Sequence, residues 1–577
     1  MIDTEGYLGP MIRRGMFIVW VLVLGLLSAG CWGNSSGNST TTENRISQKA
    51  DENQMNPQPR DKVQQGGRLI WPTSIPANFN YGQLDGTTFD GALMINAVMP
   101  ILFTFDASGT PTFDPDYLVA EPQLMISPKQ VVTYRLNPKA VWYDGTAITV
   151  ADFIAQWKAM SGTSTAFQTS SNTGYNQIES VAQGADKFEI VVTFKTPFSE
   201  WKSLFWPLYP ASTNTDSKVF NSGWKGKFLT SGGPFKFQSY DATAKTFAFV
   251  PNDKWWGNKP KLDSLIFRVI DDDAQPTALA NGEIDLMDIG PSVDYYNKAK
   301  VVPGADIRVA GGPNFRHITL NGQSPVLQDV RVRQALAMAI DRAAIARAQL
   351  GPLPVNPVPL GNHIFMQNQK GYQDNSTVLA YNPDKAKQLL DESGWVVKDG
   401  KRAKDGKPLV INLLIPAAVP VSRAEAAVVQ NILGQINVQV DINTVPLDDF
   451  FDKYIVPGNF DMTLFSWMGT QFPISSGQSI YQNPTGTNIR QNYARIGSDE
   501  IDRLYHEATQ ELDPDKAIEK ANQIDKLIWE EVHSITMYQR PDIWAVKGNL
   551  ANMGAYGFAS IIYEDIGWMA EPDAKRP

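Results

Sequence analysis

A chain of 577 residues is too long for one hydrophobic core, so two or three lobes are expected. Its 60 acidic and 51 basic side chains leave a net charge of -9, which argues against a nucleic-acid partner, since that needs a basic face. Cys31 is the single cysteine, which excludes an internal disulfide and a thiolate metal site.

The chain opens as a targeting segment, residues 1–30. Arg13 and Arg14 precede the apolar run MFIVWVLVLGLL, which has signal-peptide length rather than membrane-spanning length. The acidic residues before Met11 fit such a peptide poorly and make Met11 an alternative start. Small residues lead into Cys31 in LSAGC, a pattern similar to the bacterial lipobox, in which the freed cysteine carries a diacylglyceryl group. Two acyl chains give stable anchoring where one does not. From Trp32 to about Gln65 the chain is polar and charged, with almost nothing to bury, and reads as a flexible tether.

RLIWP begins the folded part as a strand, and PTSIPANFNYGQLDG is a loop. Residues 91–210 form an inserted subdomain. Within it, VVTYRLNP and FEIVVTFKTP alternate as strands, and Thr149 caps an amphipathic helix carrying Phe153, Trp157 and Met160 on one face. That face is read as core, as are Trp201, Trp206 and Tyr209. From Ser231 to Ile289, two alternating strands and a longer apolar strand lead to three aspartates, 271–273, which are expected to cap a short helix ended by Gly282. EIDLMDI follows as a strand, so the strand-helix-strand order predicts a crossover unit in a parallel sheet.

In the second half, Asp329 caps a helix with Val332, Ala335, Leu336, Ala339 and Ile340 as its stripe, and Asp341 caps the next. Pro383 opens a third helix, which ends at Gly394. LVINLLI, VQVDINTV and FDMTLFSW alternate with helices as a second parallel sheet. SITMYQRPDIWAV is one more strand.

Several stretches carry a resemblance: GPFKFQSY, NDKWWGNKPKLDSLIFRVIDDD with ALANGEIDL, DVRVRQALAMAIDR, and YNPDKAKQLLDESGW, in one order over roughly residue 67 to the end. Together they resemble the family 5 solute-binding proteins, the extracytoplasmic ligand receptors of peptide-type ABC importers. The resemblance implies an α/β fold, a bilobal periplasmic-binding-protein-like clamp with two mixed sheets and two interlobe crossings. Lobe I then comprises residues 66–90, 211–311 and 547–577 with the insert at 91–210. Lobe II comprises 312–546, with hinge crossings at both ends. The implied partners are a small-molecule or peptide ligand, a permease and ATPase complex, and the membrane through the lipid anchor at Cys31. The implied state is a monomer on the outer face of the cell membrane, without cofactor or metal.

In open α/β sheets the crevice lies beyond the carboxyl ends of the strands. Trp467 ends the strand FDMTLFSW, where a rigid aromatic can cover a ligand. By resemblance, Ser466, Trp467 and Met468 offer main chain to a peptide, and Phe79, Asn80 and Tyr81 line the cleft. The oligopeptide receptors place an aspartate three residues after this tryptophan, where it pairs with the ligand's amino group. Here Thr470 stands there, and a hydroxyl cannot supply that charge-assisted bond. The ligand is therefore a peptide held by another acid, or a non-peptide such as an oligosaccharide, opine or metal chelate. A secreted hydrolase on the same lobes is a further alternative, since two facing carboxylates are not legible in sequence. His317, His363, His506 and His533 show no metal-ligand spacing.

Overall fold

The computed structural model describes residues 53–570 apart from 418 and 487. The signal segment, Cys31 and the first part of the tether lie outside these residues. The main elements are, in chain order, β1 (Arg68–Thr73) and α1 (Phe89–Val98), then β2 (Gln123–Met125), β3 (Val131–Arg135), α2 (Val150–Met160), β4 (Ile178–Gln183) and β5 (Glu189–Phe194). After them come β6 (Phe235–Asp241), β7 (Thr246–Pro251), β8 (Ser264–Val269), α3 (Gln275–Ala280), β9 (Leu286–Asp288) and β10 (Ala305–Leu320). The later part holds α4 (Val330–Ala339), α5 (Arg342–Leu350), α6 (Pro383–Glu392), β11 (Val410–Pro416), α7 (Pro420–Gly434), β12 (Gln439–Val445) and β13 (Met462–Met468). It closes with α8 (Pro473–Tyr481), α9 (Asp499–Gln510), α10 (Pro514–Glu531) and β14 (Ser534–Lys547).

Three sheets organise the fold. The first has the order β1-β8-β7-β6, with β1 and β8 parallel. The insert is an antiparallel sheet, β2-β3-β5-β4, covered by α2. The third runs β9-β14-β10-β13-β11-β12 and is parallel only across β13, β11 and β12. Apolar side chains around the first sheet and the insert form one core, including Trp71, Phe153, Trp224 and Phe267. A second core, with Leu336, Ile411, Leu464 and Trp529, surrounds the third sheet. The molecule is therefore a two-lobed mixed α/β protein.

The helix signals read from sequence are realised. Thr149 and Asp152 complete a capping box on α2, Asp329 and Asp341 accept bonds from the first turns of α4 and α5, and Pro383 starts α6 behind Asn382. The predicted crossover is not. Both edges of β8 are taken, by β1 and β7, so β9 has no place there and pairs antiparallel with β14 instead. The second sheet is parallel only in part, because the antiparallel strands β10 and β14 run through it and extend it to β9. The aspartates 271–273 do not cap α3 through their side chains: its N-cap is Ala274, Asp272 accepts from Gln275 Nε2 at 3.0 Å and Asp273 accepts from the Tyr295 hydroxyl at 2.8 Å.

The tether reading fails over residues 53–65, for a physical reason. This stretch needs no core of its own, because its amides bond the backbone of the chain's last segment. Asn53 Nδ2 donates to Tyr556 O, Asn56 Nδ2 to Leu550 O at 3.0 Å, and Asn552 Oδ1 accepts from Gln58 N at 2.7 Å. Arg60 reaches Asp565 and the carbonyl of Glu564, and Val63 is buried. Asn552 is the hub of this strap, since its Nδ2 also donates to Gln58 O and Asp565 O and its φ is 59°. Replacing Asn552 by Ala should leave those groups unpaired and strain the left-handed backbone, costing about 2 kcal/mol. A lowered urea midpoint at unchanged slope checks it.

Candidate functional site

The two lobes meet beside the carboxyl end of β13. Strand β13 pairs along its length with β10, Trp467 opposite Phe315 and Ser466 opposite Arg316. On its other side β11 reaches only Met462 and Thr463. Among the described residues, the edge from Leu464 to Met468 therefore has no strand beside it. Peptide groups alternate between the two edges of a strand, so part of the 464–468 main chain faces that open side. Trp467 is half-buried and lies nearly parallel to Tyr493 (5.6 Å between centroids) and His317 (5.9 Å), with Phe465 edge-on at 5.2 Å. Ser466 is half-buried and Met468 is exposed.

The turn after β13 is held tightly. Gly469 donates its N–H to Pro313 O at 2.8 Å, and a Cβ there would sit 2.5 Å from that oxygen. The Thr470 hydroxyl accepts from Phe472 N at 3.1 Å and bonds Ser476 Oγ at 3.0 Å, and its carbonyl accepts from Gln369 Nε2. Thr470 is thus committed to shaping the turn into α8.

Helix α8 has no side-chain cap of its own, which leaves orphan N–H groups in its first turn. Glu200, from the insert, supplies the cap from the opposite lobe: Oε1 accepts from Ile474 N at 3.1 Å and Oε2 from Ser475 N at 2.8 Å. Burial raises the Glu200 carboxyl above its ordinary pKa, while the amide donors pull the other way. Ser199 N donates to Thr509 O at 2.8 Å, and Phe105 packs edge-on against Phe472 at 5.6 Å. These contacts hold the lobes together beside the open edge.

The crossing strands form the floor. Their ladder shifts register between Gly311 and Phe315, and Gln539 Nε2 fills the break with bonds to Gly312 O (2.6 Å) and Asn368 Oδ1 (2.8 Å). Beside it lie Asp288, Arg540 and Asp542. Burial pushes Asp542 up to about 7, with the Asp288 charge adding to it, and Asp288 up to about 6. Asp542 accepts from Trp544 Nε1 (2.7 Å) and Gly557 N (2.8 Å). On the lobe II side, Arg316 is paired with buried Glu425, which also accepts from the Tyr538 hydroxyl at 2.6 Å.

Not every residue expected at the cleft is there. Phe79 is fully buried in the first core, stacked on Phe228 at 4.3 Å, so its ring offers no cleft contact. Asn80 is also buried, donating to Phe220 O, while Tyr81 is half-buried against Trp206. Asn80 and Tyr81 line a cavity whose other lining residues lie between Gly82 and Phe220. Sequence reading did not single out Glu200 or the charged residues of β14. The available signals were a lone carboxylate in the aromatic run FSEWKSLFW and a charged RPD step inside an apolar strand.

Two lobes joined by two strands, with an open strand edge and an indole where they meet, define a ligand-binding clamp. The chain belongs to the bacterial extracellular solute-binding proteins, family 5, whose middle-region model matches residues 117–488. It is 39% identical over 556 residues to the oligopeptide-binding protein OppA of Mycobacterium tuberculosis, covering 95% of this chain and 93% of that protein. Among solved structures it is similar to the periplasmic EDTA-binding protein EppA (TM-score 0.81, 25% identity, 90% of this chain and 99% of that one). It also matches the fold of the oligopeptide-binding protein AppA from Bacillus subtilis in complex with a nonapeptide (TM-score 0.68, 21% identity, 88% and 100%).

Two outcomes follow. Glu200→Gln removes the charge and one of the two acceptors, so it should favour the open arrangement and weaken ligand binding about tenfold, visible as a larger radius in small-angle scattering at equal ligand. Asp542 carries a raised pKa, so its contribution to stability is complete at low pH and is lost as pH rises through about 7. From about pH 5 to about pH 8 the melting temperature should fall more steeply for the native protein than for Asp542→Asn, whose side chain does not ionise.

Proposed function

We propose that the chain is the substrate-binding component of an ABC importer, which captures an extended peptide between its lobes and delivers it to a permease. The observation that carries this reading is the unpartnered edge of β13 at 464–468 beside Trp467, against which a peptide adds as a strand. Trp467, Ser466 and Met468 are the contacts, with main-chain bonds giving affinity and the indole covering a side chain. Thr470 shapes the turn and binds no ammonium. The similarity to a protein named for oligopeptide binding supports the same ligand class.

The division into lobe I (66–90, 211–311 and 547–577, with 91–210 inserted) and lobe II (312–546) belongs to this reading, the hinge lying at the register break between β10 and β14. The protein acts as a monomer and returns its ligand chemically intact, so it is a receptor and not a hydrolase. Cys31 carries the lipid that tethers it to the outer face of the membrane. Cys31→Ala should move the protein from the membrane fraction to the soluble fraction, and retention of the variant on membranes would overturn the anchor.

Native mass spectrometry of the purified protein tests the ligand class: a retained set of peptides supports the reading, and ligand recovered as cleaved product would contradict it. Trp467→Ala should lower peptide affinity by about ten- to hundredfold in calorimetry. A second reading, a metal chelate or other non-peptide ligand, is favoured by the neutral Thr470 and by the likeness to an EDTA-binding protein. Recovery of a non-peptide mass would select it.

A further inference from the structure

A cavity of about 140 Å³ is lined by residues between Asn80 and Phe220, and no residue of 312–546 lines it. Its walls come from the loop after β1, from α2, from the 170–175 segment and from the turn around Trp206. A hollow of roughly 150 Å³ accepts a six-membered ring, so the volume suits one ring and not a chain.

The chemistry of the lining is specific. No lining side chain carries a charge, so a carboxylate or ammonium would enter without a counter-ion. Asn214 is 2% exposed, and its Nδ2 has no hydrogen-bond partner in the protein. It is a buried donor on the cavity wall that calls for an acceptor oxygen from outside the protein. Tyr81 and Trp206 meet edge-to-face at 5.0 Å, both half-buried, and give an aromatic wall for an aliphatic ring face. At the mouth, Ser170, Ser171 and Thr173 are exposed, and the Ser171 hydroxyl donates to Thr173 Oγ1 at 3.1 Å, which leaves the Thr173 proton free to point outward.

We infer that this cavity is a second binding site, for a single neutral hydroxylated ring of the pyranose class. A ring oxygen or hydroxyl accepts from Asn214 Nδ2, the C–H face lies on Trp206, and outer hydroxyls meet the serine and threonine rim. Every lining group belongs to one lobe, so occupancy does not depend on closure.

Methyl α-D-glucopyranoside and myo-inositol, titrated into the intact protein and followed by saturation-transfer NMR, test the site. Binding with a dissociation constant on the order of 1 mM is expected for so small a ligand. Asn214→Leu removes the donor at similar size and should weaken binding about three- to tenfold, and Ser171→Phe, at an exposed position, should block the mouth and abolish it. Trp467→Ala should leave the signal unchanged, which separates this site from the interlobe cleft. Equal binding to the Asn214→Leu and native proteins, loss of binding in Trp467→Ala, no binding of either probe, or a crystal soak showing water alone in the cavity would each overturn the inference.

Discussion

Everything in this molecule depends on two antiparallel strands, β10 and β14, that belong to both lobes at once. Each enters lobe I's side of the sheet and continues into lobe II, pairing from Ala305 opposite Lys547 to Thr319 opposite Ser534. A continuous ladder would fuse the halves into one rigid body. The ladder shifts register between Gly311 and Phe315 and again between Arg316 and His317, and at the first break the side chains of Gln539 and Asn368 donate to the carbonyls of Gly312 and Gly311. Side-chain bonds can be re-made at small rotations more easily than a ladder can, which suits the hinge proposed there.

The site is assembled from backbone that the fold leaves unfinished. Strand β13 outruns β11 by five residues and so keeps an open edge, and α8 begins without a cap and takes one from Glu200 of the other lobe. Both are obligatory hydrogen-bonding groups whose partners come from outside their own element. The Arg316–Glu425 pair shows the contrasting case: it is completed within lobe II by Ser422 and Tyr538, and it fixes the sheet and helix α7 rather than waiting for a partner.

Much of this was legible in the residues. Caps and stripes placed α2, α4, α5 and α6, because each signal is local and each side chain acts within a turn of its own helix. The position of Trp467 followed from the strand that ends there. What sequence did not carry was partner choice over distance. The strap at 53–65 looked like solvent-exposed tether because its amides resemble those of disordered chain, and only the backbone of residues 550–565 shows what they bind. The pairing of β9 with β14 depended on β8 already having two neighbours. Phe79 was expected at the cleft only by resemblance, and its ring turns inward onto Phe228, where burial gains more than exposure.

Asn53, Asn56 and Gln58 fasten the beginning of the folded chain to the segment around Asn552, so anything upstream is moored to lobe I. The strap also reaches β10, since Gln54 Oε1 accepts from Val309 N at 2.9 Å, two residues before the register break. The first and last parts of the described chain are thus fastened to each other and to one end of the crossing strand β10.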